Sequence, residues 1–554
     1  MCKSVAAIGA NILTLVLASA GMAAHPSDAA PVPGTPPPAS RGDAALPFTV
    51  EAGPEQVTIR VPPAVTDAAV EVAEFPIWND ALDLPHAAWR AETPLLPGAE
   101  LVLPRFVQTS AGQRDRALSR WATVIRDGAS ERVDGPCRYA GHAAIAAAPP
   151  RPALRNKKGL GGYDIHRGHE SDLDELGLST VTVNVHLGFV HLAPGAGRVP
   201  VPYGESTFYV DQGALDGLDA TLRAAARRDL LVFAIVLVPA PHPDAPATQR
   251  MAHPDYQAPA YFAMPDVTAP GGVELYGAMI DFLAQRYSRP DGRFGRIHDW
   301  IVHNEVDAGR VWTNAGDKTA AEFMQLYHRS LRIVHQLARF YDPHARAFIS
   351  LTHSWTEPEQ ADFYSSRELL DLLNAASVRE GDFEWGVAYH PYPQSLLVPE
   401  TWRDERATHA ADSPLVTFKN IEVLAEWARR PENRYQHEIV RDVYLTEQGF
   451  HSRDYSDEQL RIQAAALAYA WQQIKDVPEI KAMHYHNWID NRHEGGLRIG
   501  LRRFPDDADD PAGVKPAWRL YRDLSGPEEL QASEFALPVV GIDEWSQLGP
   551  ETRP

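Results

Sequence analysis

Cysteine and basic residues are scarce in this chain of 554 residues. Only two cysteines occur, which excludes zinc sites built on cysteine clusters. Lys and Arg total 52 against 73 Asp and Glu, and the formal net charge is −21. Because binding to a phosphate backbone needs a basic face, and no long Lys/Arg block is present, we predict that nucleic acid is not a partner.

Long apolar runs are also missing, apart from a short one at the N-terminus. Lys3 precedes an apolar stretch over residues 5–18, and small residues follow it. This pattern predicts a secretory signal peptide over residues 1–23, with an uncleaved anchor as the alternative. We therefore expect a secreted or periplasmic protein that does not associate with a membrane after cleavage. Cleavage leaves Cys137 alone and excludes a disulfide within the mature chain.

Composition and periodicity distinguish two segments between the predicted signal peptide and residue 135. Residues 24–47 are rich in proline and predict a linker. Residues 48–135 predict a small antiparallel β-domain resembling a β-sandwich, because short stretches of period two recur without a convincing helix among the first of them. The predicted strands of this domain are residues 57–61, 69–75, 101–106 and 121–125.

A repeating strand–helix pattern begins near residue 150. One weak and seven clear apolar runs predict eight strands, at residues 158–161, 179–186, 230–238, 298–303, 347–352, 385–389, 443–446 and 480–486. Helical spacing of apolar residues lies between them, for example over 320–340 and 458–474. Eight such units predict a (β/α)₈ barrel, an α/β fold, over residues 136–525, with a doubly wound open sheet as the alternative. Residues 526–554 would form a C-terminal tail.

Two glutamates follow predicted barrel strands. Glu305 follows Asn304 after the fourth strand, and Glu447 stands in Thr-Glu-Gln-Gly after the seventh. Catalytic residues of such barrels lie at the C-terminal ends of the strands, so the two carboxylates should face each other across the axis. Facing carboxylates suit glycoside hydrolysis, in which one protonates the leaving oxygen and the other attacks the anomeric carbon or directs water to it. The alternative is a pair of structural glutamates that cap loops or form ion pairs.

The Asn304-Glu305 pair with Glu447 resembles clan A of the retaining glycoside hydrolases. The resemblance implies that Glu305 is the acid/base, that Glu447 is the nucleophile and that Asn304 binds the sugar 2-hydroxyl. The longer motif from His303 to Gly309, followed by Trp-Thr-Asn-Ala-Gly, resembles a secreted bacterial family of unknown function over roughly residues 48–525. That motif is specific to a family and not to a substrate.

The same resemblance extends to two other strand ends. It implies that His390 or Tyr392, after the sixth strand, touches the nucleophile and helps to keep it ionised. A turn fixed by the neighbouring prolines is the alternative for this segment. The resemblance also implies that Trp488, after the eighth strand, is a platform on which a sugar stacks. The alternative for Trp488 is a core tryptophan.

Further polar residues lie at other strand ends. Asn184 and His186 are two residues apart in the second strand, so they point the same way and are candidates to bind sugar hydroxyls. His353, after the fifth strand, is a similar candidate. The long loop over residues 239–272 contains three aromatic residues, and we expect it to wall a binding cleft.

Two rival interpretations come from the last strand and the loop after it. His484 and His486, together with His186, are candidate metal ligands of a barrel metallohydrolase. Four arginines at positions 492, 498, 502 and 503 suit an acidic sugar, although nearby aspartates favour solvated loop charges.

The sequence therefore predicts a retaining glycoside hydrolase that cleaves a polysaccharide or oligosaccharide by double displacement. It needs no cofactor and no metal, and its predicted partner is the carbohydrate substrate. A non-catalytic carbohydrate-binding protein on a barrel scaffold is the alternative from another class, and a metallohydrolase is the third.

Overall fold

The computed structural model describes residues 46–63, 66–110, 112–127, 130–142 and 151–548. The predicted signal peptide and nearly all of the predicted linker lie outside these residues. None of the helices in the described part of the chain has both the length and the apolar composition that crossing a membrane requires.

Ten strands make up the N-terminal region. They are β1 (Thr49–Ala52), β2 (Gln56–Arg60), β3 (Glu71–Phe75), β4 (Trp89–Arg90), β5 (Glu100–Pro104), β6 (Phe106–Thr109), β7 (Gly112–Asp115), β8 (Arg120–Asp127), β9 (Ser130–Tyr139) and β10 (Gly141–His142). Two four-stranded sheets have the orders β10-β1-β2-β5 and β4-β3-β8-β9, and β6 pairs with β7. The strands continue beyond the predicted end of the region at residue 135.

The two four-stranded sheets share an apolar core. Val57 and Ile59 of β2 belong to one buried cluster with Val72 of β3 and Trp121 of β8. In β2 these residues alternate with more exposed ones, which is the period-two pattern of a strand with one buried face. Phe340 from the second half of the chain joins the same cluster, so this region packs directly on the barrel.

Eleven more strands follow. They are β11 (Lys158–Leu160), β12 (Thr180–His186), β13 (Val190–His191), β14 (Arg198–Tyr203), β15 (Ser206–Asp211), β16 (Leu231–Leu237), β17 (Asp299–Val302), β18 (Arg346–Thr352), β19 (Gly386–His390), β20 (Val443–Gln448) and β21 (Ile480–Tyr485). Eight of them close into a parallel barrel in the order β11-β12-β16-β17-β18-β19-β20-β21, and β21 pairs with β11. The predicted (β/α)₈ barrel is therefore confirmed, and the open sheet is excluded.

The barrel interior is a packed core. In β16, Leu231, Phe233, Ile235 and Leu237 point inward and share a buried cluster with residues of other barrel strands. The residues between them belong to the outer core against the helices. Both faces of the strand are thus buried, which explains its unbroken apolar sequence.

Twelve α-helices accompany the strands in the described residues. They are α1 (Asp172–Glu175), α2 (Gln212–Ala226), α3 (Pro246–Met251), α4 (Pro270–Tyr287), α5 (Gly309–Trp312), α6 (Ala320–Tyr341), α7 (Ser366–Arg379), α8 (Glu422–Arg429), α9 (Asp457–Ile474), α10 (Pro516–Asp523), α11 (Glu529–Ser533) and α12 (Leu537–Val540). Helix α6 begins with a capping box between Thr319 and Glu322, which satisfies backbone donors at its N-terminus. The C-terminal segment, expected as a tail, carries α11 and α12.

The sequence patterns did not predict the small sheet formed by β13, β15 and β14. Its strand β14 contains Pro200 and Pro202, which cannot donate to a ladder of hydrogen bonds. The sheet order β13-β15-β14 places this strand at an edge, where proline is tolerated. The sheet lies between β12 and α2 in the chain.

Candidate active site

The backbone bends sharply where β17 ends. His303 and Glu305 adopt left-handed conformations with φ of 65° and 38°, which are costly for residues other than glycine. Two contacts hold this turn: the His303 ring is hydrogen-bonded to Ser330 Oγ at 2.8 Å, and the Glu305 backbone N–H donates to Ser350 Oγ at 3.0 Å. The strained turn directs Glu305 to the C-terminal mouth of the barrel.

Glu305 and Glu447 meet in this mouth. One carboxylate oxygen of each, together with a ring nitrogen of His390, all lie within 4.8 Å of one another. The two glutamate side chains are 15% and 22% exposed, so each is mostly buried and still accessible to solvent. The structure thus brings together the two glutamates that the sequence placed at opposite strands.

His390 lies between the two glutamates and is hydrogen-bonded to Glu305. Its Nδ1 lies 2.9 Å from Glu305 Oε1 but 4.0 Å from Glu447 Oε2. Its Nε2 lies 3.1 Å from Thr446 Oγ1, on the neighbouring strand β20. The direct hydrogen bond of His390 therefore orients Glu305, while the ring stays within 4.0 Å of Glu447.

Tyr392 makes the contact predicted for this segment. Its hydroxyl donates to Glu447 Oε1 at 3.0 Å. Burial, with the neighbouring charge of Glu447, holds the pKa of the Tyr392 phenol well above its usual value, so the hydroxyl remains a donor.

Burial also affects the other glutamate. It raises the pKa of the Glu305 carboxyl above its ordinary value, and the hydrogen bond with His390 only partly offsets this. A carboxyl with a raised pKa keeps its proton to higher pH. Glu305 therefore suits a general acid, while Glu447 accepts a hydrogen bond from Tyr392.

A second histidine contacts Glu447 from the end of β21. His486 Nε2 lies 3.6 Å from Glu447 Oε1 and 3.6 Å from Glu494 Oε2. Burial alone would lower the pKa of His486, but the charges of the two glutamates outweigh it and raise this pKa to about 9. His486 is thus a cation at neutral pH, beside Glu447.

Glu494 anchors this histidine and is itself well fixed. Its Oε1 accepts hydrogen bonds from the side-chain amides of Asn487 at 2.8 Å and Asn491 at 2.9 Å. Burial would raise the pKa of Glu494, but His486 and the two amides lower it to about 2. Sequence reasoning missed Glu494, because its only signal was one acidic residue in a loop dominated by arginines.

The pairing of Glu494 with His486 predicts a pH-dependent contribution to stability. Glu494 has a lowered pKa, so its contribution is present above the ordinary glutamate value and is lost as pH falls through about 2. His486 has a raised pKa, so its contribution is present below the ordinary histidine value and is lost as pH rises through about 9. We expect Glu494→Gln to lower the melting temperature by at least about 2 °C at pH 6, with a difference that shrinks towards pH 10.

Thermal melts of the wild type and Glu494→Gln across pH 5–10 test this expectation. Glu438→Gln is the control, since Glu438 is exposed on a loop outside the barrel mouth. A difference between wild type and Glu494→Gln that does not change with pH contradicts the pairing.

Trp488 lies away from the cavity, against the predicted role as a sugar platform. Its side chain is completely buried, its indole N–H donates to Asp172 Oδ2 at 2.7 Å, and its ring packs against Tyr163. A buried ring offers no face to a ligand. We therefore correct this prediction, and His486 is the residue after β21 that lines the site.

The remaining predicted residues lie at the ends of their barrel strands. Asn304 is 9% exposed, and its side-chain amide makes no hydrogen bond to any residue that the structure describes, so it is free to bind a ligand. Asn184 and His186 are both exposed at the end of β12. His353 is partly exposed and follows the end of β18 directly.

The histidines proposed as metal ligands do not assemble. His484 is buried and its Nε2 is hydrogen-bonded to Thr180 Oγ1 at 2.5 Å, while His486 pairs with glutamates. In the described residues, Glu305, His390 and Glu447 form the one group with metal-like spacing. Within this group, His390 Nδ1 is hydrogen-bonded to Glu305 Oε1, and its Nε2 is hydrogen-bonded to Thr446 Oγ1.

The four arginines after β21 already have ion-pair or hydrogen-bond partners. Arg502 pairs with Asp172, Arg492 with Asp506 and Arg503 with Asp507, and the Arg498 guanidinium donates to the carbonyl of Arg453. These contacts favour the interpretation as loop charges over a site for an acidic sugar.

Comparison with known proteins gives a family but no function. Residues 150–548 match the model of DUF5722, a family of unknown function. The chain belongs to this family. The matched segment covers the barrel and the C-terminal helices and leaves out the N-terminal sheets. No curated protein matches the sequence.

Several solved structures are similar to this chain at low identity. A family 39 glycoside hydrolase from the gut symbiont Bacteroides cellulosilyticus WH2 is 12% identical, with a TM-score of 0.45 over 87% of this chain and 83% of its own. A glucosidase from Croceicoccus marinus is 11% identical (TM-score 0.42, 69% and 71% covered). The exo-β-1,4-mannosidase Op5Man5 from Opitutaceae bacterium strain TAV5 is 14% identical (TM-score 0.42, 70% and 63% covered). Similarity at this level identifies neither a reaction nor a substrate.

Proposed function

We propose that this protein is a retaining glycoside hydrolase. The observation that carries the proposal is the pair Glu305 and Glu447, whose nearest ligand oxygens lie within 4.8 Å at the barrel mouth. Retaining enzymes hold their two carboxyl groups about 5–5.5 Å apart, whereas inverting enzymes separate them by about 6.5–9.5 Å to admit a water. The short separation supports direct attack by one carboxylate.

The surroundings of each glutamate support an assignment of roles. Glu305, with its raised pKa, donates a proton to the departing glycosidic oxygen. Glu447, held by Tyr392 and beside the His486 cation, attacks the anomeric carbon and forms a covalent glycosyl-enzyme. Glu305, now a carboxylate, takes a proton from water, and the resulting nucleophile releases the sugar. The free amide of Asn304 is a candidate to bind a hydroxyl of the reacting sugar.

We also propose that the protein is exported, as a secreted or periplasmic enzyme. The support is the sequence pattern over residues 1–23, which lie outside the described residues. N-terminal sequencing of the protein from the periplasm or medium tests this, and an intact Met1 contradicts it.

A substrate screen tests the proposed function. The purified protein is incubated with a panel of plant, algal and bacterial polysaccharides, and the release of reducing ends is measured. For each substrate cleaved, proton NMR follows the first anomer formed. We expect retained configuration; an inverted first product contradicts the mechanism, and binding without hydrolysis favours the carbohydrate-binding alternative.

Tyr392 provides a sharper test of the assignment of Glu447. Tyr392→Phe removes one hydrogen bond to a charged group, and we expect kcat/KM to fall about 10- to 100-fold. Tyr389→Phe is the matched control, because that hydroxyl donates to the carbonyl of Val416 instead. Equal losses in both variants, measured on one substrate with thermal melts alongside, contradict a specific role for Tyr392.

A further inference from the structure

Phe262 reaches the barrel mouth from the long loop after β16. It is partly exposed and packs against the inner core of the barrel, which includes Ile235 and Leu237 near the C-terminal end of β16. These two residues are 5% and 6% exposed, so they lie at the floor of the mouth. Phe262 therefore lies at the same mouth of the barrel as Glu305 and Glu447.

Two more rings extend this surface. The His186 ring contacts Phe262 edge to face at 5.5 Å, and the Trp312 ring stacks with Phe262 at 6.1 Å and 23°. We name His186, Phe262 and Trp312 the aromatic wall. The Asn314 backbone N–H donates to the Phe262 carbonyl at 3.1 Å and ties the loop to the segment after α5.

The Trp312 indole is available to a ligand. Trp312 is partly exposed, and its N–H has no hydrogen-bond partner among the described residues and is not buried. The segment that carries it begins at Glu305, so the aromatic wall follows β12, β16 and β17 around the mouth.

The opposite side of the mouth is polar. It is formed by His390, Tyr392, Glu447 and His486 at the ends of β19, β20 and β21. A pyranose ring has an apolar C–H face and a rim of hydroxyl groups, so this asymmetry suits it. The four arginines after β21 already have partners within the chain, which favours a neutral sugar over an acidic one.

We propose that the aromatic wall is the stacking platform for a second sugar ring, next to the ring that reacts at Glu447. The substrate class is then a neutral oligosaccharide or polysaccharide. This inference rests on the proposed function. The platform lies on the side of β12, β16 and β17, and the buried Trp488 after β21 takes no part in it.

The test compares long and short substrates in Trp312→Ala, Phe262→Ala and the control Trp545→Ala, which changes a partly exposed tryptophan near the C-terminus. The probes are the hexasaccharides of β-1,4-linked glucose, mannose and xylose and the 4-nitrophenyl glycosides of the same sugars. For a hexasaccharide that the wild type cleaves, we expect KM to rise about 10- to 100-fold in the two wall variants, as for loss of a central aromatic anchor. Activity on the matching nitrophenyl glycoside should stay near that of the wild type. The inference is overturned if the two wall variants lose activity equally on the hexasaccharide and on the nitrophenyl glycoside, or if they lose none on either substrate.

A binding assay separates this inference from the proposed function. Glu447→Gln, which should bind without turnover, is run in native gels that contain soluble β-glucan, mannan or xylan. We expect retardation in at least one gel, and its weakening by a second change at Trp312 or Phe262 but not at Trp545. If the wild type hydrolyses no substrate but the retardation still depends on the aromatic wall, the proposed hydrolase function is refuted and the proposed stacking platform is supported. The proposed platform is overturned if the wall variants keep the retardation, or if no gel shows any retardation.

Discussion

Glu447→Gly is expected to lower kcat by at least about 10⁴-fold, because no covalent intermediate forms without the carboxylate. The glycine leaves a cavity beside Tyr392 and His486, and a small anion such as azide or formate can enter it. With an activated glycoside of the right sugar, azide should attack the anomeric carbon and partly restore turnover. The product is then a glycosyl azide of inverted configuration, which NMR identifies.

The control for this rescue is Glu357→Gly. Glu357 is exposed and pairs with Arg406, outside the contacts of the two site glutamates. It should keep near-native activity and gain nothing from azide. Near-native activity of Glu447→Gly itself would mean that Glu447 is structural.

Glu305→Ala is expected to behave differently. Loss of a general acid typically costs about 10²–10⁴-fold, and more when the leaving group is poor. An activated glycoside needs little protonation, so its first step should survive and the glycosyl-enzyme should accumulate as a burst of leaving group. Azide should then capture this intermediate, and two successive inversions give a product of retained configuration.

The two azide products therefore distinguish the roles of the glutamates. Inverted product from Glu447→Gly and retained product from Glu305→Ala fit the assignment, and exchanged outcomes would exchange the roles. Asn304→Ala is a useful companion, since it changes the neighbour of Glu305 and leaves both carboxylates in place. It should slow both steps without producing azide rescue.

The barrel and its two glutamates could be predicted because their signals are local. The strand β16 has an unbroken apolar sequence, buried on both faces, and each glutamate lies within three residues of the end of an apolar run. Strand ends at one face of a barrel converge whatever their distance along the chain. The position of Glu305 relative to Glu447 therefore followed from the strand count alone.

The contacts made by side chains after β21 could not be predicted in this way. The alternation of side chains along a strand stops at Tyr485. It therefore does not determine whether Trp488 points in the same direction as His484 or His486. Its indole is buried by Asp172, which is more than 300 residues away in sequence. The pairing of His486 with Glu494 depends on the path of the same loop, and no spacing rule encodes it.

The sequence also could not predict which of the two glutamates is hydrogen-bonded to His390. His390 and Tyr392 are two residues apart, and from the sequence either side chain could reach Glu447. The strained turn at Glu305 brings that carboxylate to His390 Nδ1, and Thr446 takes the other ring nitrogen. Left-handed conformation at a glutamate has no signature in one sequence.

Covalent labelling tests the central claim most directly. An activated 2-deoxy-2-fluoro glycoside of the sugar found in the screen should form a long-lived glycosyl-enzyme, because the fluorine destabilises the transition state for its release. Mass spectrometry of the intact protein and of its peptides then locates the label. We predict one sugar per chain, on the carboxylate of Glu447, and no label in Glu447→Gly. A label on Glu305 or on another residue, or steady hydrolysis with inverted configuration and no label, would contradict the account.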